Sequence, residues 1–169
     1  KTMKPELRTG DIFCTRNPMA LGRAINQIQK FWSSDNESEY SHSGIICNPK
    51  GITFESLWTI RYSKLDAYAG KQVIIGRHFG MNQEAFDEGI RGIAKHEKQI
   101  YPFHRLLFHL FPPAAKYISS GGFPVCSELV CKFLCKAGLM PTWKGKNPDH
   151  VADMIHKWRT WEVVFEGAL

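Results

Sequence analysis

Apolar positions recur at two spacings along this chain, and the switches between them mark out its elements. Gly10-Asp11-Ile12-Phe13-Cys14 reads as a turn leading into a short buried strand. Over residues 19–31, Leu21, Ala24, Ile25 and Ile28 share one side of a helical wheel, which predicts an amphipathic helix. A polar, acidic stretch at 33–39 follows, of the kind that flanks a cleft as a loop. Two strand-like runs, 43–47 and 52–58, enclose Asn48-Pro49-Lys50-Gly51, with the residues a type I turn prefers at its first, second and fourth positions. Residues 73–75 add a strand and 83–98 a helix. Segment 101–111 is unusually apolar and aromatic, and Pro112-Pro113 stops it. After Gly121-Gly122, Val125, Leu129, Val130, Phe133, Leu134 and Ala137 repeat at helical spacing as far as Gly138. Asn147-Pro148-Asp149 caps a short helix running to 158, and 161–165 closes as a strand. The plan is α+β: an antiparallel sheet with helices packed against it.

Composition narrows the setting. With 169 residues, 43% apolar and 22% charged, residues 1–169 are expected to form a single domain with a core that needs no disulfide staples. No stretch approaches the roughly 18 apolar residues of a membrane span. Five cysteines are too odd a number for a complete disulfide framework. Cys126, Cys131 and Cys135 lack the spacing of a zinc knuckle, so neither a metal nor another cofactor is expected. Unpaired thiols and the lack of a visible export segment favour a cytoplasmic setting; a secreted or periplasmic one stays open if a signal was removed ahead of Lys1. The net charge of +6 suits an anionic partner, a cell-wall polymer or a lipid surface. Nucleic acid is the weakest of the anionic candidates, because the lysines and arginines are scattered and no binding motif organises them.

Candidate chemistry begins at Cys126, in or just before the first turn of its helix. There, unpaired backbone N–H groups and the helix dipole favour negative charge, as a nucleophilic thiol requires. A base comes from the hairpin. A turn at 48–51 makes paired residue numbers sum to 99, so Gly44 faces Glu55. Side chains alternate along a strand, which puts His42, Gly44 and Glu55 on one face. His42 and Glu55 become diagonal neighbours, with Cβ atoms within about 7–8 Å. A carboxylate bonded to one imidazole nitrogen fixes the tautomer and leaves the other nitrogen free to act as a base. A register slip of one residue would separate the pair.

These residues resemble the circularly permuted branch of the papain-like NlpC-type cysteine hydrolases, the YiiX-like group. The matching pieces are Gly10-Asp11-Ile12, Ser41-His42-Ser43-Gly44-Ile45, Phe54-Glu55-Ser56 and Cys126-Ser127-Glu128-Leu129-Val130, in the permuted order with histidine before cysteine. The resemblance runs from about residue 8 to 165. It implies a permuted papain-like fold, with an antiparallel sheet or partial barrel against helices. It also implies Cys126 as nucleophile, His42 as general base, Glu55 as the residue orienting it, and Tyr101 in the place of the oxyanion-stabilising tyrosine of unpermuted relatives.

Other candidates weigh less. Cys14 and Cys47 sit on core strands and read as packing. His104 and His109 miss the spacing of a helical zinc pair. His78, His96, His150 and His156 show no evident partner. Asp11 belongs to the turn before the first strand. Trp32, Trp58 and Tyr40 read as cleft or core. The resemblance offers two substrate classes: a peptide amide of the cell wall, or an acyl group on a lipid. Segment 101–111, with His104, Arg105 and His109 among its apolar residues, keeps the second in play. A binding module that keeps the fold without the chemistry is the rival of a different kind.

Overall fold

The protein is described by a computed structural model over residues 5–15, 40–57, 59–98, 126–142 and 148–169. The predicted helix at 19–31, the acidic loop at 33–39, Trp32, Trp58 and the apolar segment at 101–111 with Tyr101 lie outside these residues. Six strands, β1 (Ile12–Thr15), β2 (His42–Ile46), β3 (Ile52–Ser56), β4 (Ile60–Lys64), β5 (Gln72–His78) and β6 (Trp161–Ala168), form one sheet in the order β4-β3-β2-β1-β5-β6. Every pairing is antiparallel. Three α-helices accompany the sheet among the described residues: α1 (Gln83–Ile93), α2 (Cys126–Lys136) and α3 (Pro148–Lys157). None of the described helices is long and apolar enough to cross a membrane.

Both faces of the central strands are covered. Every residue of β1 and β2 is buried, the polar Thr15, His42 and Ser43 included, so burial does not alternate along these strands. Alternation survives in where the side chains go. Ile12, Cys14, Ile45, Phe54, Ile60 and Ile74 join Leu129, Val130, Phe133, Leu134, Val151 and Ile155 of α2 and α3 in one apolar cluster. Phe13, Ile46, Val73 and Ile75 point the other way and meet Leu65 and Tyr68, with Leu7 and Leu169 packed alongside. The sheet therefore divides the core, and the helices cover one side of it.

Element boundaries differ from the sequence reading where local signals were faint. Helix α1 starts as expected, with the Asn82 side chain accepting a bond from the Ala85 amide at 2.9 Å. It ends at Ile93 rather than 98, passing into a 3₁₀ turn at Ala94–His96. Strands β5 and β6 run longer than the apolar triplet and quintet that announced them. Strand β4 and the 3₁₀ turn that follows it, Leu65–Tyr68, had no counterpart in the sequence reading. On the sheet edge only Ile60 of β4 is buried, so the pattern carries almost no hydrophobic signal.

Candidate active site

The hairpin sets the register of the site. The Gly51 amide donates to the Asn48 carbonyl at 3.0 Å, closing the turn, and Asn48 Oδ1 accepts from the Lys50 and Ile52 amides. Gly51 sits at φ +78°, where a side chain would be strained. Strand pairing then runs Gly44 to Glu55, Ile45 to Phe54 and Ile46 to Thr53, the register expected from the turn. His42, Gly44, Thr53 and Glu55 share the face that carries Phe13. Gly44 is needed for close approach: a Cβ there would lie 2.5 Å from Phe13 Cε1 and 3.0 Å from Glu55 Cβ.

Across that gap the imidazole and the carboxylate meet. His42 Nε2 lies 2.6 Å from Glu55 Oε2, with both side chains almost wholly withdrawn from solvent. Glu55 accepts two more bonds, from the Tyr68 hydroxyl to Oε2 at 2.5 Å and from the Thr53 hydroxyl to Oε1 at 2.9 Å. A buried carboxylate without such donors would be costly to keep ionised. Burial pushes the Glu55 carboxyl up, but the bonds with His42, Tyr68 and Thr53 and the His42 charge bring it below its ordinary value. Rings enclose the imidazole: Phe13 packs edge-on at 5.9 Å between centroids, and Tyr68 lies tilted at 5.8 Å.

Cys126 comes to the same histidine from another element. It is the first residue of α2, 6% exposed, and its side chain lies near enough to the His42 ring to favour the ring's charged form. Since Glu55 holds Nε2, the ring nitrogen left for the sulfur is Nδ1. Helix α2 packs on β2 and β3, which places its first turn beside the strand that starts at His42. Burial alone would lower the pKa of His42. The bond with Cys126 and then the bond with Glu55 outweigh that, and raise it from 6.5 to about 9. The surroundings of the ring thus favour its charged form, with a carboxylate on one nitrogen and the cysteine on the side of the other.

Three separate segments therefore bring Cys126, His42 and Glu55 together; Tyr101, the expected oxyanion residue, lies outside the described residues. The sequence reading missed Tyr68 and Thr53. Alternation along β3 places Thr53 on the Glu55 face and could have found it. Tyr68 comes from the uncharted turn after β4 and left no sequence signal. Of the residues set aside earlier, His104 and His109 lie outside the described residues. Cys14 is core, and burial pushes the Cys47 thiol up to about 12. His78 Nδ1 accepts from the Gly80 amide, and its ring packs edge-on against Trp161. His156, expected to lack a partner, lies 3.2 Å from Glu166. Asp11 accepts from the Arg8 amide in the turn, and its two oxygens also hold Arg77 Nε and Nη2, each at 2.9 Å.

Fold and cluster together define an α+β protein with a buried cysteine–histidine–glutamate site on a six-stranded antiparallel sheet. Its fold is shared with the crystal structure of the metalloprotein yiiX from Escherichia coli O157:H7. That match covers 97% of this chain and 88% of the other, with a TM-score of 0.59 and 19% identity, a level at which the likeness speaks for the fold alone. No family model and no curated protein matches the sequence.

Proposed function

We propose that this protein is a cysteine hydrolase of the permuted papain-like kind, cleaving an amide bond through Cys126, His42 and Glu55. One observation carries the reading: a buried histidine held by a glutamate on one side and by a helix-start cysteine on the other. In the reaction the Cys126 thiolate attacks the substrate carbonyl carbon, forming a carbon–sulfur bond while the carbonyl oxygen gains negative charge. In this reading the Cys126 backbone N–H, in the first turn of α2, donates to that oxygen. As the tetrahedral intermediate collapses, the carbon–nitrogen bond breaks and the protonated His42 gives its proton to the leaving amine. A water then loses a proton to His42 and attacks the thioester, releasing the acid and restoring the thiolate. Glu55 keeps the ring oriented and stabilises its charged form throughout.

The substrate we propose is a peptide amide in the cell wall. The net charge of +6 supports this reading, since it draws the protein to an anionic polymer. The description of yiiX as a metalloprotein raises a metal as a second question. Among the described residues, no group of three or more His, Cys, Asp or Glu side chains is arranged to hold a metal ion, the Cys126, His42 and Glu55 cluster included. Glu55 already spends both oxygens on His42, Tyr68 and Thr53. The described donors do not fit a metal.

The test is hydrolysis of a defined wall stem peptide, run beside fatty-acid release from a lipid ester. Thiol-dependent peptide cleavage that vanishes in Cys126→Ala is the expected result. Full activity in that variant would refute the assignment, and fatty-acid release alone would replace the amide with an acyl substrate.

A further inference from the structure

We infer that Tyr68 is a positioning residue for the proposed reaction, its hydroxyl sharing Glu55 Oε2 with His42 and so limiting how tightly that carboxylate holds the histidine proton. The inference rests on the hydrolase reading for its purpose, but its measurement does not depend on turnover. Two donors meet on one oxygen: His42 Nε2 at 2.6 Å and the Tyr68 hydroxyl at 2.5 Å. Charge that Oε2 gives to the phenol is charge it cannot give to the imidazolium. The phenol is a dependable donor, because burial and then the Glu55 charge push its pKa up and keep it protonated. Its ring meets Phe13 at 5.4 Å and His42 at 5.8 Å, so the hydroxyl is fixed by packing on both sides.

This restraint matters because the histidine has two jobs. It must be charged to protonate the leaving amine, yet it must release that proton and later take one from water. A general base held too firmly in its charged form is slow at the second job. The groups bearing on the pair come from every element around it. Glu55 and Thr53 belong to β3, Cys126 to α2 and Tyr68 to the 3₁₀ turn. Arg61 of β4 is paired opposite Glu55 and acts on Tyr68 in the opposite sense to Glu55. Thr53 donates to Oε1, the oxygen that His42 does not use, so its influence should have the same sign and a smaller size.

Nitrogen-resolved NMR titration of His42 in the whole protein reads this directly. Tyr68→Phe keeps the ring and removes only the hydroxyl. The His42 midpoint should rise above the wild-type value by about half a pH unit, about a threefold gain in proton affinity. Thr53→Val should move it the same way by less. A purely structural role for Tyr68 would lower Tm and leave the midpoint in place, and that result overturns the inference, as does a fall. Should Tyr68→Phe not fold, an unmoved midpoint in Thr53→Val overturns it equally. An inactive protein whose midpoint still shifts would separate failure of the hydrolase reading from failure of this one.

Discussion

Replacing Glu55 with glutamine tests the electrostatics of the site without disturbing its shape. The amide keeps the size of the carboxylate, but its nitrogen is a donor and cannot accept from the His42, Tyr68 or Thr53 groups that now converge on Glu55. The magnitude follows from His42. Its pKa rises from 6.5 to about 9 on folding. That rise corresponds to about 3 kcal/mol of preference for the charged ring, taking ~1.4 kcal/mol per pH unit. A raised folded-state pKa adds stability that is complete below pH 6.5 and disappears as pH climbs through about 9. Cys126 and Glu55 both contribute to the rise, so Glu55→Gln should remove on the order of half of it. Urea denaturation at pH 6.5 and at pH 10 measures this. The wild type should lose stability between the two, and the variant should lose less, so that the gap between them narrows by on the order of half the wild-type loss. A fixed cost from the mismatched amide will remain at both pH values. A gap of the same size at pH 6.5 and pH 10 would refute the reasoning, because no proton on His42 would then be linked to Glu55.

Two further outcomes check the scaffold beneath the site. Gly44→Ala drives a methyl group against Phe13 and Glu55, so it should cost about 1–3 kcal/mol in chemical denaturation and lower the proposed hydrolysis with it. An unaffected Tm would mean that the approach of β1 and β3 over residue 44 is looser than described. Arg77→Ala removes two hydrogen bonds from Asp11, a carboxylate 1% exposed, and should cost about 3 kcal/mol while leaving the His42 titration unchanged. A shifted His42 midpoint there would show the two ion pairs to be coupled.

The pairing of His42 with Glu55 was legible because it depends on local rules alone. A turn of four residues fixes the register, the register fixes the faces, and Gly44 leaves the space between. The helix beginning at Cys126 was legible from its apolar spacing, whereas its meeting with His42 is a tertiary fact that no local pattern records. Strand β4 escaped notice because an edge strand with one buried residue has little hydrophobic period to detect. Tyr68 escaped with it, since the turn that carries it is set by β4. The same logic explains Arg77, a charged residue inside an apolar strand run, whose partner Asp11 lies 66 positions away in the chain.

Leu7 and Leu169, from opposite ends of the described chain, both pack on the apolar cluster of Phe13, Ile46, Leu65 and Tyr68. What carries the imidazole to its carboxylate is sideways bonding between neighbouring strands, and little of it is affected by where the backbone happens to be opened. Linear order and spatial order are thereby uncoupled. A reshuffled gene that presented these strands in the same alignment would deliver the same side chains to the same place.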